Sequence, residues 1–190
     1  MSLSLQGKLL ISMPALTEPT FAASVIYVCA HSNQGAMGFI INKAIQGMTF
    51  LDLADQVELS KASDVILQSL ATRPILMGGP VDQKRGFVLH STDYVTANSL
   101  KVSKQISVTS TLDVLQDLAM GRGPARHALA LGYAGWSPGQ LENELKHNGW
   151  LHSDANMDFI FQSDLGGMHG QALRNMGVDP AFLSAQAGHA

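Results

Sequence analysis

The chain reads as an α+β protein built mainly of strands, and three observations carry that reading. Apolar stretches rich in β-branched residues recur along it, helical periodicity is confined to a few short segments, and the two do not alternate in regular βαβ order. "KLLISM" (8–13), "SVIYVCA" (24–30) and "AMGFIIN" (36–42) form the opening strands, the last two a hairpin turning at Asn33 to Gly35. "TFLDLADQV" (49–57) changes period, with Phe50, Leu53 and Val57 at helical spacing behind Thr49 as N-cap and Asp52 at the third helical position. The polar stretch 58–73 is expected as a mobile loop, after which "PILMGGPV" (74–81) and "GFVLHS" (86–91) resume the strand pattern around a Gly-Gly-Pro bend. "ISVTS" (106–110) is a further strand. "STLDVLQDLAMGRGP" (110–124) is the clearest helix: Ser110 and Asp113 make a capping-box pattern, Leu112, Leu115, Leu118 and Ala119 share one face, and Gly121 stops it. "HALALGYAG" (127–135) is a buried strand, "NMDFIFQ" (156–162) a late strand, and "GGMHGQALRNMG" (166–177) a terminal helix ended by Gly177.

With 190 residues, 46% of them hydrophobic, one domain spanning 1–180 can bury a core, leaving 181–190 as a frayed tail. No repeat, low-complexity tract or composition shift divides it. A net charge of -3 and only 12 Lys plus Arg, scattered in small pairs, make nucleic acid an unfavoured partner. Cys29 is the single cysteine, so an intrachain disulfide is excluded, and its place mid-strand suits an inert buried thiol. The apolar run near the N-terminus is too short for a signal peptide, and no run reaches membrane-spanning length; a cytoplasmic protein is expected. The seven histidines lack H-x-x-x-H spacing, and the glycine-rich segments lack phosphate-loop and dinucleotide motifs, so neither a metal nor a cofactor is expected.

"GYAGWSPGQ" (132–140) contains a literal G-x-S-x-G, the nucleophile elbow of serine hydrolases. The residue after Ser137 is Pro138, which has no N–H to give to an oxyanion, and losing one such donor typically costs about 10²- to 10³-fold in turnover. A structural account uses the same residues: Ser137 as N-cap, Pro138 at the first helical position and Gln140 at the third. The helix then runs through Leu141 and Leu145, with a Glu142–Lys146 pair outside and an Asn148-Gly149 stop. Trp136 precedes the cap, where it would pack near Leu141. Hydrolysis at Ser137 is therefore disfavoured, and no catalytic residue is assigned.

Three long segments, "LLISMPALTEPTFAASVIYVCAHSNQGAMGFIINK" (9–43), "PILMGGPVDQKRGFVLHS" (74–91) and "GYAGWSPGQLENELKHNGWL" (from 132), resemble the bacterial AlgH/YqgE family. The resemblance implies a single α+β domain whose bifurcated, mostly antiparallel β-sheet folds into a pseudo-barrel with a few flanking helices. The family's biochemical activity is not established; its label as a putative transcriptional regulator comes from a proposed link to alginate production. Its motifs fall here on Pro14, Phe21, Gly35, Gly38, Asn42, Gly78, Gly79, Pro80, Val81, His90, Gly132, Tyr133, Gly135, Trp136, Gln140 and Leu141. Gly35, Gly38, Gly78, Gly79, Pro80, Gly135, Ser137 and Pro138 read as structural, set by close approach or bends. Asn42, His90, Tyr133, Trp136 and Gln140 are the candidates for one shared groove that binds a small ligand or a protein partner. The leading expectation is a non-enzymatic binding or regulatory module. The alternatives are a direct DNA-binding regulator and an enzyme of unrecognised type using His90 or Asn42.

Overall fold

The computed structural model describes residues 4–56, 70–71, 73–110 and 112–183. Ten strands, β1 (Lys8–Ser12), β2 (Val25–Ser32), β3 (Gly35–Ile40), β4 (Ala44–Thr49), β5 (Pro74–Met77), β6 (Val81–Ser91), β7 (Leu100–Lys101), β8 (Ile106–Thr109), β9 (His127–Trp136) and β10 (Trp150–Asp154), form one curled sheet. Its order is β10-β1-β2-β3-β9-β6-β8-β7, and a branch leaves β9 through β5 to β4. The fork exists because β9 is long enough to hold two partners in succession: β5 runs parallel to Leu129–Leu131, and β3 antiparallel to Ala134–Trp136. Apart from β5 with β9, every pairing is antiparallel. The result is the single, bifurcated α+β domain the sequence predicts.

Among the described residues, five α-helices flank the sheet: α1 (Phe50–Gln56), α2 (Leu112–Ala119), α3 (Gln140–Lys146), α4 (Met157–Ile160) and α5 (Met168–Asn175). None among the described residues is long and apolar enough to cross a membrane. At α1, the Thr49 N–H donates to Asp52 Oδ2 (2.7 Å) and the Asp52 N–H to Thr49 Oγ1 (3.4 Å), a reciprocal cap with aspartate in the place of glutamate. Val57 and the polar stretch expected as a loop fall largely outside the described residues. On α2 the buried face is Val114, Leu115, Leu118 and Ala119, while Leu112 is 54% exposed, so Val114 takes the place the periodicity gave to Leu112.

Both faces of the sheet are covered, which is why its strands read as near-continuous apolar runs. Along β1 and β2, Leu9, Ile11, Val25, Tyr27 and Cys29 enter the main core with α4 and α5, whereas Leu10, Ile26 and Val28 point the other way, toward Trp136, Leu141 and Trp150. Along β9, Ala128 and Ala130 face the main core and Leu129 and Leu131 a third cluster under α1 and α2; past Gly132 the parity reverses, with Tyr133 facing the main core and Ala134 and Trp136 the tryptophan side. Gly132 sits at this break with φ of 70°, opposite the irregularity in β6 between Val81 and Gly86.

Two expectations are corrected. Residues 156–162 are not a strand: Asn156 Oδ1 accepts the Phe159 N–H at 2.8 Å and starts α4, burying Phe159 and Ile160 against the sheet. The strand in this region is β10, which pairs with β1. At the C-terminal end, Pro180–Phe182 form a 3-10 turn and Leu183 packs on the main core, so the docked chain extends past residue 180. Residues 184–190 lie outside the described part.

Candidate functional site

The five candidate binding residues occupy four separate places. Asn42 closes the end of β3: its Oδ1 accepts the Val25 N–H (2.8 Å) and its Nδ2 donates to the Ala23 carbonyl (2.9 Å), fixing a corner where Ala23 has φ of 50°. His90 is fully buried on β6, its Nδ1–H donating to the Ser91 carbonyl (2.9 Å) and its Nε2 accepting from Thr109 Oγ1 (2.8 Å), which is joined to Ser99 Oγ at 2.7 Å. Burial lowers the His90 pKa below the ordinary histidine value. Tyr133 packs its ring edge-on against Phe87. Only Trp136 and Gln140 meet. They do so at Glu144 on α3, whose Oε2 accepts both Trp136 Nε1 (2.9 Å) and Trp150 Nε1 (2.7 Å) while Oε1 accepts Gln140 Nε2 (2.9 Å). Phe21 lies against both indoles. The one shared groove expected from the motifs is not formed, because strand pairing carries His90 to the far end of β9, beside His127, and the indole and amide donors of Trp136, Trp150 and Gln140 are spent on the Glu144 carboxylate.

The residues read as structural sit at backbone crossings and turns. A Cβ on Gly35 would lie 2.2 Å from the Trp136 carbonyl oxygen, and one on Gly79 2.2 Å from the Tyr133 carbonyl carbon; Gly38 and Gly78 are similarly pressed, at 2.7 and 2.3 Å. Pro80 follows into β6. A Cβ on Gly135 would meet side chains rather than backbone, the Tyr133 ring at 3.4 Å and Val81 at 3.9 Å. Ser137 and Pro138 are exposed in a turn before α3, where the Ser137 N–H donates to Gln140 Oε1 (3.0 Å) and Gly139, not Ser137, occupies the cap position. Among the described residues no histidine bonds the Ser137 hydroxyl. Glu142 is joined not to Lys146 but to His31 Nε2, at 2.9 Å. Cys29 is buried at a β-bulge, and burial pushes its thiol pKa up.

A different set of residues surrounds a cavity of about 510 Å³ at the fork of the sheet, between β5, the start of β9, α1, α2 and the segment after α4. Its wall is largely apolar, with Ile41, Phe50, Ile75, Leu118, Leu129 and Ile160 among the lining side chains, and that volume is in the range of small-ligand sites. Arg73, His127 and Gln162 also line it. His127 Nε2 and Gln162 Nε2 are buried and have no hydrogen-bond partner among the described residues. Native interiors leave few such atoms, and each typically costs about 1–3 kcal/mol.

The state of His127 follows from its surroundings. The Pro124 carbonyl, 3.3 Å from Nδ1, can only accept, so Nδ1 carries the proton and Nε2 offers a lone pair. Burial, then the positive charge of Arg73, pushes the His127 pKa down from 6.5 to about 4, keeping the ring neutral. Because the folded ring has the lower pKa, the unfolded chain binds more protons between pH 6.5 and about 4. The contribution to stability is therefore complete above pH 6.5 and is lost as the pH falls toward 4, by on the order of 3 kcal/mol. Urea unfolding of wild type and His127→Phe across this window is expected to give a shallower pH dependence for the variant; parallel curves would refute the assignment.

Comparison with known proteins converges on one family. The profile of the AlgH-like family matches residues 9–181. The chain belongs to that family. AlgH-like relatives include UPF0301 proteins of Beijerinckia indica, 49% identical over 189 residues (98% of this chain and 92% of the relative), and of Agrobacterium fabrum, 50% identical over 189 residues (98% and 94%). The solution structure of the AlgH protein from Pseudomonas aeruginosa is 35% identical with a TM-score of 0.80, covering 100% of this chain and 98% of that one. A Corynebacterium diphtheriae crystal structure, at 17% identity and a TM-score of 0.71 over 92% of this chain and 88% of that one, shares the fold. The AlgH-like motifs and the cavity barely overlap: His127, Gln162 and Arg73 lie outside the motif positions. A histidine opening the apolar run "HALALG" was the only local sign of one of them.

Proposed function

We propose that this AlgH-like chain is a non-enzymatic binding module whose site is the cavity at the fork of the sheet, taking a small, largely apolar molecule. The carrying observation is the cavity itself, about 510 Å³ with a largely apolar wall to which Ile41, Phe50, Ile75, Leu118, Leu129 and Ile160 contribute. A pKa of about 4 also leaves His127 a weak base at neutral pH, which favours binding over proton-transfer chemistry. A regulatory role would follow if occupancy altered how α1 and α2 sit on the sheet, since both border the cavity through Phe50 and Leu118.

The test uses 1-anilinonaphthalene-8-sulfonate as an apolar reporter. Native protein is expected to give a saturable fluorescence rise, and Ala128→Phe, which places a ring in the cavity, is expected to abolish it while keeping the wild-type far-ultraviolet circular dichroism spectrum. Equal enhancement in both proteins would place the probe elsewhere and remove the support for this site.

A further inference from the structure

We infer that His31 is a proton-operated latch: the neutral ring holds residues 4–6 against the sheet, and protonation between about pH 8 and about pH 5, the range in which histidine changes charge, releases them. Two partners set the neutral tautomer. The Leu5 N–H, 3.0 Å from Nδ1, can only donate, so Nδ1 must present a bare lone pair. Nε2 therefore carries the hydrogen and donates it to Glu142 Oε1 on α3, at 2.9 Å. One ring on β2 thus ties the segment before β1 to α3. The His31 side chain is 4% exposed and Leu5 is 4% exposed, so solvent cannot readily replace the bond between them.

A second proton acts oppositely on the two sides of the ring. At Nε2 it turns a neutral hydrogen bond into an ion pair with Glu142, so the ring stays on α3. At Nδ1 it replaces the lone pair with an N–H aimed at the Leu5 N–H, donor against donor, and the segment must move to admit an acceptor. Its remaining ties are the Leu5 side chain, packed in a cluster with Ile26, Val28 and Leu141, the Leu5 carbonyl on the Lys8 N–H (3.0 Å), and the Gln6 amide on the Val102 carbonyl (3.0 Å). The next anchor, the Gly7 N–H on the Val28 carbonyl (2.8 Å), lies beyond the latch. Gly7 has φ of 79°, and a Cβ there would meet only Ser103, at 3.8 Å, so a hinge with room to turn stands between the latch and β1. The charges around the ring are few. Glu142 is in contact, and its carboxyl is held below the ordinary glutamate value first by a hydrogen bond from its own backbone and further by His31 and Lys146, so it stays ionised through this window. Residues 4–7 and Ala36, opposite His31 on β3, bring no charged side chain; Lys8 is paired with Asp154, and Glu144 with the indoles.

Two-dimensional proton–nitrogen NMR of the full chain across this window tests the latch. At the alkaline end the His31 ring is expected as the Nε2–H tautomer. As the ring titrates, solvent exchange of the Leu5 amide, corrected for its intrinsic pH dependence, should rise at least about tenfold with the same midpoint. The Gly7 amide should stay protected and is the internal control. His31→Gln offers Leu5 an acceptor and Glu142 a donor that do not titrate, so the transition at Leu5 should vanish. Glu142→Gln removes the charge that favours the imidazolium, so the His31 midpoint and the Leu5 transition should move together to lower pH. Protection of Leu5 that persists while His31 titrates overturns the latch, as does a ring that takes up no proton in this window. A Leu5 transition that survives His31→Gln, or that ignores a shifted His31 midpoint in Glu142→Gln, overturns the assignment to this ring. Loss of Gly7 protection in step with Leu5 replaces the latch with a general loosening of the sheet edge.

Discussion

Gly79→Ala is expected to cost at least about 4 kcal/mol and to leave little folded protein. Gly79 lies between β5 and β6, where the chain crosses β9 in backbone contact. A Cβ there would stand 2.2 Å from the Tyr133 carbonyl carbon, 2.3 Å from its oxygen and 2.4 Å from the Ala134 nitrogen. No rotamer change relieves such a contact, because all three atoms are backbone of the strand that carries both branches of the sheet. The crossing would have to open, and with it the pairing of β5 or β6 to β9. Gly166→Ala is the matched control: it adds the same methyl where nothing lies within 4 Å, and should fall within about 0.5 kcal/mol of wild type. Thermal unfolding followed by far-ultraviolet circular dichroism compares the two, and similar melting temperatures would show that the crossing can spread to admit a side chain.

Replacing Glu144 with leucine is expected to destabilise the fold by about 3 kcal/mol, because it strands two indole N–H groups whose rings are buried. Trp150 is 2% exposed and Trp136 6%, and one carboxylate oxygen serves both. Glu144→Gln, which keeps a single acceptor oxygen, should lose roughly half as much. These are the chain's only tryptophans, so intrinsic fluorescence during urea unfolding reads the site directly. A Glu144→Leu midpoint equal to wild type would mean that water satisfies both indoles, and that the cluster of Phe21, Trp136 and Trp150 is held by apolar packing alone.

Most of the helices and strands are legible in sequence because their signals are local. Asn33 and Gln34 turn between β2 and β3, Asp52 reaches back to the Thr49 backbone, and Gly121, with φ of 71°, ends α2; each interaction spans only a few residues. The elements missed or misread depend on distant partners. "WLHSD" has no strong strand pattern and becomes β10 by pairing with β1, from Ser12 opposite Trp150 to Lys8 opposite Asp154. "AIQGMT", with Gly47 in its middle and two exposed positions, becomes β4 through β5 alone. Segment 156–162 has strand-like composition, yet the Asn156 cap and the burial of Phe159 and Ile160 against the main core decide for a helix.

Sequence by itself determined the α+β class, the resemblance to one family and the places where glycine is needed at a turn, since these rest on residue identity and short-range geometry. Only the tertiary structure decided which polar groups meet. It spent Asn42, His90, Trp136 and Gln140 on hydrogen bonds within the fold, and it brought Arg73, His127 and Gln162, from three separate segments, to the wall of one cavity. No local pattern records that meeting, because the fork at β9, where β5 and β3 part, creates the space, and a fork is a property of strand pairing between segments far apart in the chain.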